Sequence, residues 1–428
     1  MQIRTINWPD DREKILEHIR LVHGPGDSDL LEKWYGSMPG FDPSDCFVID
    51  GDNGEIAAHT MLIPRFVQFG DSVLPASEIG VVGTMEQYRS RGYASALMEQ
   101  AIERMTERGD AVSLIFGIPN FYEKWGYQYA LGLYLTSFES NIETELARKA
   151  GEWNMAHSHQ RRVASQLGIR GIDVTVRSFD LKDLPAVMLL YQQASTKGFS
   201  VIARDEATWR WQLDYMADIG RYDSDDFLIA EYEGTILAYM RIVSSSPVNW
   251  FRQDEATRYS IVEFAGTDPD ATEALLAEAA SGAHTYNAER IGLYVHPQSQ
   301  IMAHALVRGA VQRNFTGAGF LRLNDLVTTL HGMADTFQAR LNESPFNGQS
   351  IVLRLSTENA AADLPLLPES EGAEIVELEA PAAEMIGLFS GWYGIDNLPD
   401  ANYALKHYHV LNALFPKGDP KVGFADLI

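Results

Sequence analysis

"YRSRGYASALM" (Tyr88–Met98) places two arginines and a glycine directly before a run with helical spacing. Helix starts ordinarily favour Asp and Glu, because the N-terminal end of the helix dipole is positive. A helix that begins in positive charge expects its negative partner from outside the chain. Upstream, "ASEIGVVGTM" (Ala76–Met85) reads as a strand. Downstream, Ala94, Leu97, Met98, Ala101, Ile102 and Met105 form one apolar stripe at i, i+3, i+4, i+7, and Gly109 ends the helix. "AVSLIFG" (Ala111–Gly117) is the next strand. The result is a βαβ-like unit with a glycine turn at the helix start. Such a turn leaves backbone N–H groups unpaired and aimed outward. With the dipole they form an anion site suited to a pyrophosphate. Gly92 lets the backbone approach the ligand, and Arg89 and Arg91 can add charge-assisted hydrogen bonds. The spacing Arg89-x-x-Gly92-x-Ala94 alone also fits an ordinary turn; its position between strand and amphipathic helix favours a ligand.

The totals bound what that ligand and its partners are. The chain has 428 residues, 46% hydrophobic and 22% charged, enough for two or three domains with sizeable cores. Its net charge of −25 argues against nucleic acid and suits a cationic substrate or plain solubility. One cysteine, Cys46, excludes an intrachain disulfide and a cysteine-cluster metal site. The first residues lack an apolar signal-type core, and no run approaches the ~18 apolar residues of a membrane span. We expect a cytoplasmic protein with no membrane partner.

A repeat appears at an offset of 180 residues. "FVIDGDNGEIAAH" (Phe47–His59) aligns without a gap on "FLIAEYEGTILAY" (Phe227–Tyr239), each reading as strand, glycine turn, strand. At the same offset Val81 and Val82 fall on Ile261 and Val262. We therefore expect a duplicated domain. The copies diverge at the helix start: Arg89, Gly92 and Ala94 face Pro269, Thr272 and Ala274. If that turn binds a ligand, only the first copy does. After about residue 320 the pattern changes to a third, α+β unit with strand candidates "SIVLRL" and "AEIVELEA".

"VGTMEQYRSRGYASALM" resembles the acetyl-CoA signature R/Q-x-x-G-x-G/A of the GNAT superfamily of N-acetyltransferases, and "NFYEKWGY" (Asn120–Tyr127) resembles its later motif. The order of the whole chain is similar to the enhanced-intracellular-survival (Eis) family. That resemblance implies an α/β (α+β) chain of two tandem GNAT folds, each a mixed, splayed sheet flanked by helices, plus a sterol-carrier-like α+β domain. The expected boundaries are 1–150 for the active domain, 151–318 for the degenerate copy and 319–428 for the third. It implies acetyl transfer from acetyl-CoA to a primary amine, a small molecule or a lysine, without a metal, and a homo-oligomer. Val81, Val82, Gly83 and Thr84 would lie along the cofactor, with the Val82 and Thr84 backbones pairing with its pantetheine arm. Arg89, Ser90, Arg91, Gly92, Tyr93 and Ala94 would hold the pyrophosphate, with Asn120 nearby. Tyr122 matches the general acid that protonates the departing thiolate. The tail "PKVGFADLI" would offer the Ile428 carboxylate as general base, where relatives often end in an aromatic residue.

Asp27, Asp29 and Trp34 lie where the family's acceptor pocket begins; carboxylates and an aromatic face suit a cation, although helix capping explains the aspartates equally well. His157 and His159 have no evident partner ligand, so no metal site is expected. The alternatives are transfer of another acyl group, or a hydrophobic-ligand-binding protein using the third domain.

Overall fold

The hairpin read from Phe47–His59 forms as strands Cys46–Asp50 and Ile56–Phe69, paired antiparallel. The structure is a computed structural model and describes residues 1–8, 10–140, 167–198, 201–218, 226–244, 259–307, 309–366, 372–423 and 426. Gly54 closes the turn at φ +82°, a left-handed conformation that side chains resist. These strands are buried almost without alternation, the pattern of a sheet covered on both faces. The cover is visible at two adjacent residues. Val82 packs against the core cluster to which Leu97 and Met98 of helix Tyr93–Arg108 belong, whereas a side chain at Gly83 would meet Val22 and His18 of helix Arg12–Val22. Neighbouring strand residues point to opposite faces, so the two helices lie on opposite sides of the sheet.

This sheet belongs to a unit made of residues 1–131, 201–211 and 317–420. Its strand order is Ile3–Thr5, Cys46–Asp50, Ile56–Phe69, Ser72–Thr84, Val112–Ile115, then Phe320–Leu323. All neighbours are antiparallel except Ser72–Thr84 with Val112–Ile115, the parallel pair joined by helix Tyr93–Arg108. Leu97, Met98, Ala101 and Met105 of the expected stripe are fully buried, and Gly109 ends the helix at φ +76°. Residues 317–420 add a three-stranded sheet in the order Ala361–Leu366, Ile351–Ser356, Glu374–Glu379. Beside it Phe337, Phe389 and Phe415 form an aromatic core with centroids 5.1–6.3 Å apart.

The second unit comprises residues 132–200, 212–316 and 421–428. Strands Phe227–Tyr232 and Thr235–Val243 form the hairpin expected there. Its strand order is Thr136–Glu139, Arg290–Leu293, Tyr259–Gly266, Thr235–Val243, Phe227–Tyr232, Thr175–Ser178. Again one pair is parallel, Tyr259–Ile261 with Ile291–Leu293, joined by helix Pro269–Thr285. This is the topology of the first unit's sheet, strand for strand. The units follow contacts, which group residues 317–420 with the first of them.

Cys46 sits on the second strand with no exposed surface, and burial pushes its thiol well above the ordinary cysteine range. Thiolate is the reactive form. The native protein is therefore expected to resist a thiol reagent at pH 8 and to take up one equivalent once denatured. Rapid labelling of the folded chain would contradict this placement.

Candidate active site

The parallel pair of the first unit is joined only over Ala76–Ile79 and Val112–Ile115. Beyond Ile79 the strands part, and Gly80–Thr84 leaves its edge on that side without a strand partner among the described residues. A bulge marks the same place. The register jumps from Met61↔Gly80 to His59↔Gly83, so Val81 and Val82 both face Thr60. Val81 takes φ +52°, a conformation costing a β-branched residue about 1–3 kcal/mol. Bulges twist a strand and re-aim its groups. Here the re-aimed groups belong to the segment expected to meet the cofactor: Val82 and Thr84 are half-buried, and Gly83 is buried.

The strand runs into the arginine turn through a short 3-10 turn, Glu86–Tyr88. Ser90 takes φ +63° and Gly92 φ +79°. Helix Tyr93–Arg108 then begins with no side-chain cap and no acid in its first turn. Its first N–H groups are therefore left to water or a ligand. Tyr93 and Ala94, at the first turn, are half-exposed. Arg89 and Arg91 are exposed and lightly held. Arg89 Nε reaches Thr84 O at 3.4 Å, and Arg91 donates to Gln87 O at 3.3 Å with its guanidinium 4.9 Å from the Tyr88 ring. Tyr88 itself is buried and locks the turn to the hairpin: its hydroxyl donates to Glu55 at 2.6 Å and accepts the Asp52 N–H at 2.9 Å. Gly51 makes the lock possible, since a Cβ there would stand 2.6 Å from that hydroxyl. Sequence reasoning missed this lock; a tyrosine directly before the arginines was its only signal.

Tyr122 belongs to the core cluster against which Val82 packs. It is 6% exposed, in a nest of Phe121, Trp125, Tyr127 and Phe320 with centroids 4.9–6.4 Å away. Gly117, two residues after strand Val112–Ile115, receives its ring: a Cβ would stand 2.4 Å from Cε2 and 2.9 Å from the hydroxyl. Burial raises the phenol above its ordinary pKa, so it is protonated at neutral pH. Its hydroxyl makes no hydrogen bond among the described residues and keeps its proton available. Asn120 is exposed at φ +61°, and its N–H donates to Glu123 at 3.0 Å.

The remaining candidates scatter. Asp27 lies in the first turn of helix Pro25–Ser37 and Asp29 is exposed on it. Trp34 is 2% exposed, its ring spent in the core. Ile428, His157 and His159 lie outside the described residues. No cluster of three or more His, Cys, Asp or Glu able to hold a metal occurs among the described residues. No helix among them is long and apolar enough to cross a membrane.

The second unit's corresponding helix start is closed from within the chain. Asp268 caps helix Pro269–Thr285 by accepting the Ala271 N–H at 3.0 Å. Asp270, 5% exposed, accepts the N–H groups of Arg170, Gly171 and Ile172 at 2.6–3.2 Å. The anion at this helix start is thus the chain's own. Its parted strands enclose a cavity of only about 20 Å³, lined by Glu263, His296, Tyr191 and the tail residues Lys421 and Gly423. That is room for about one water. Farther along the tail, Asp426 is buried and accepts from Gln212 at 3.1 Å and Tyr191 at 3.4 Å.

Comparison with solved structures shows what this architecture shares. The chain superposes on a GCN5-related N-acetyltransferase from Anabaena variabilis with a TM-score of 0.69 and 14% identity, covering 100% of both chains. A GCN5-related N-acetyltransferase from Kribbella flavida gives 0.67 and 15%, covering 98% of this chain and 99% of that one. Eis1 from Mycobacterium abscessus gives 0.60 and 15%, covering 99% of each. At such identities the likeness is one of fold. No curated protein sequence matches the chain significantly. Within the chain, residues 2–130, which carry the parted strands, the arginine turn and Tyr122, match the acetyltransferase (GNAT) domain family.

Proposed function

We propose that the first unit transfers an acetyl group from acetyl-CoA to a primary amine. The observation that carries this reading is the contrast between two equivalent helix starts. One is uncapped and flanked by Arg89 and Arg91, and the other is closed by Asp268 and Asp270. A pyrophosphate suits the first and is repelled by the second. The pantetheine arm would extend the free edge of Val82–Thr84, bringing the thioester to the bulge. There the neutral amine attacks the carbonyl carbon and the C–N bond forms. Strand N–H groups aimed by the bulge would hold the oxyanion. Collapse breaks the C–S bond, and Tyr122 gives its proton to the sulfur. The proton acceptor implied by the resemblance, the Ile428 carboxylate, lies outside the described residues.

Titration calorimetry of the full chain should find one acetyl-CoA per chain, and a thiol assay should detect CoA release with amines. Two equal sites per chain would refute the contrast between the helix starts. No binding would remove the reading.

A further inference from the structure

The Tyr122 hydroxyl makes no hydrogen bond among the described residues, so its aim depends on what holds its ring and its backbone. The ring rests on Gly117 among Phe121, Trp125, Tyr127 and Phe320. The backbone enters a 3-10 turn, Glu123–Trp125. The Trp125 N–H donates to Tyr122 O at 3.0 Å, and the Gly126 N–H donates to Glu123 O at 2.9 Å. Gly126 then leaves at φ +83°. So short a 3-10 turn has poor hydrogen-bond geometry and little stiffness of its own.

The turn is pinned from far along the chain. Arg322, on strand Phe320–Leu323, donates from Nε to Trp125 O at 2.8 Å. Its Nη1 donates to Asn324 Oδ1 at 2.5 Å. The same oxygen accepts the Ser113 hydroxyl at 3.0 Å. Ser113 has one proton to give, so Tyr127 is the donor in the 2.9 Å bond between their hydroxyls. Arg322 thus closes a chain of hydrogen bonds whose two ends, Trp125 and Tyr127, flank Gly126. Phe320, two residues earlier and on the same face of the strand, packs on Tyr122 with centroids 6.0 Å apart.

The charge on Arg322 is kept at a cost. The side chain is half-buried at the wall of a groove of about 740 Å³ that Trp125 and Asn324 also line. It forms no ion pair among the described residues, and burial lowers its pKa. A guanidinium drawn partly out of water without a carboxylate is unfavourable. What it supplies is a rigid planar fork, with two charge-assisted donors at fixed angles. One holds the turn and the other holds the strand's own end.

We propose that Arg322 is a positioning residue for the proton donor: by holding the Trp125 carbonyl from strand Phe320–Leu323, it fixes the turn that aims Tyr122 at the thioester sulfur. The inference rests on the acetyl-transfer reading and adds a residue outside the matched family domain. Arg322 touches no substrate and transfers no proton.

The test uses the full chain with acetyl-CoA and butylamine. Arg322→Met should lower kcat about tenfold, the worth of one charge-assisted hydrogen bond, while calorimetry shows acetyl-CoA affinity within about twofold of wild type. Arg322→Gln keeps a donor without the fork. It should lose less, and it carries the test if the methionine variant does not fold. The decisive measurement repeats the substitution in a Tyr122→Phe chain. With no proton to aim, kcat should there change less than twofold. An equal loss in both backgrounds would make Arg322 merely structural and overturn the proposal, as would wild-type kcat in both Arg322 variants. A wild-type chain that binds no acetyl-CoA, or a Tyr122→Phe chain with undiminished kcat, defeats the acetyl-transfer reading and this inference with it. Normal dependence on Tyr122 with unchanged Arg322 variants defeats only the inference.

Discussion

Tyr122→Phe lowers kcat for acetyl transfer by about 10²–10³-fold and leaves acetyl-CoA affinity within about twofold. General acids contribute about 10²–10⁴ to rate, and a thiolate expelled without a proton donor retains part of that. The substitution is clean because the hydroxyl has no hydrogen bond among the described residues to lose. The ring also keeps its neighbours Phe121, Tyr127 and Phe320 and its seat on Gly117. Thermal stability should therefore be unchanged. The pH dependence follows from the sign of the shift. In the proposed reaction the protonated phenol is the active form, and burial raises its pKa above the ordinary phenol value. Activity owed to Tyr122 is present below that raised value and lost as pH rises through it. No alkaline decline from this group should appear between pH 7 and 9. Stopped-rate CoA release across that range measures both effects. A variant keeping more than a third of wild-type kcat would remove Tyr122 from the chemistry. Loss of acetyl-CoA binding would mean that its role is structural.

Features written locally were legible in the sequence. The stripe through Leu97, Met98, Ala101 and Met105 identified the helix, because burial on one side of a 3.6-residue period leaves that mark. Gly54 and Gly234 marked both hairpins, because each takes a positive φ that other residues avoid. Features made by distant contacts were not legible. Strand Phe320–Leu323 joins Val112–Ile115 across some two hundred residues, and no local pattern announces that pairing. The bulge at Val81 runs against propensity, since a β-branched residue is a poor choice for a left-handed conformation. Such conflict between local preference and fold is expected where a site stores strain. Trp34, whose chemistry suggested a cation-binding face, is almost fully buried in this structure, a fact of packing that its place in the sequence does not announce.

The unlike helix starts lead to the second large effect. Arg89→Glu with Arg91→Glu should weaken acetyl-CoA binding about 10³-fold. Each arginine removed forfeits a charge-assisted contact to phosphate, typically worth one to two decades of affinity, and each glutamate repels the ligand. The first unit would then resemble the second, where Asp268 and Asp270 occupy the corresponding helix start. The fold should not suffer. Both arginines are exposed and lightly held: Arg89 by one hydrogen bond at 3.4 Å, and Arg91 by one at 3.3 Å, a 4.9 Å contact with the Tyr88 ring and a 3.9 Å ion pair with exposed Asp52. Glutamates near an uncapped helix start even favour the helix dipole, so thermal unfolding should hold or rise slightly. That opposition separates function from stability: the paired substitution suits the helix and weakens its ligand. Ionic strength supplies an independent check. Wild-type affinity should fall between 50 and 500 mM salt as the arginine–phosphate attraction is screened, whereas Arg89→Gln with Arg91→Gln should show a flatter dependence. Calorimetry with acetyl-CoA at both salt concentrations decides the matter, and an affinity within threefold of wild type in the glutamate variant would place the pyrophosphate elsewhere.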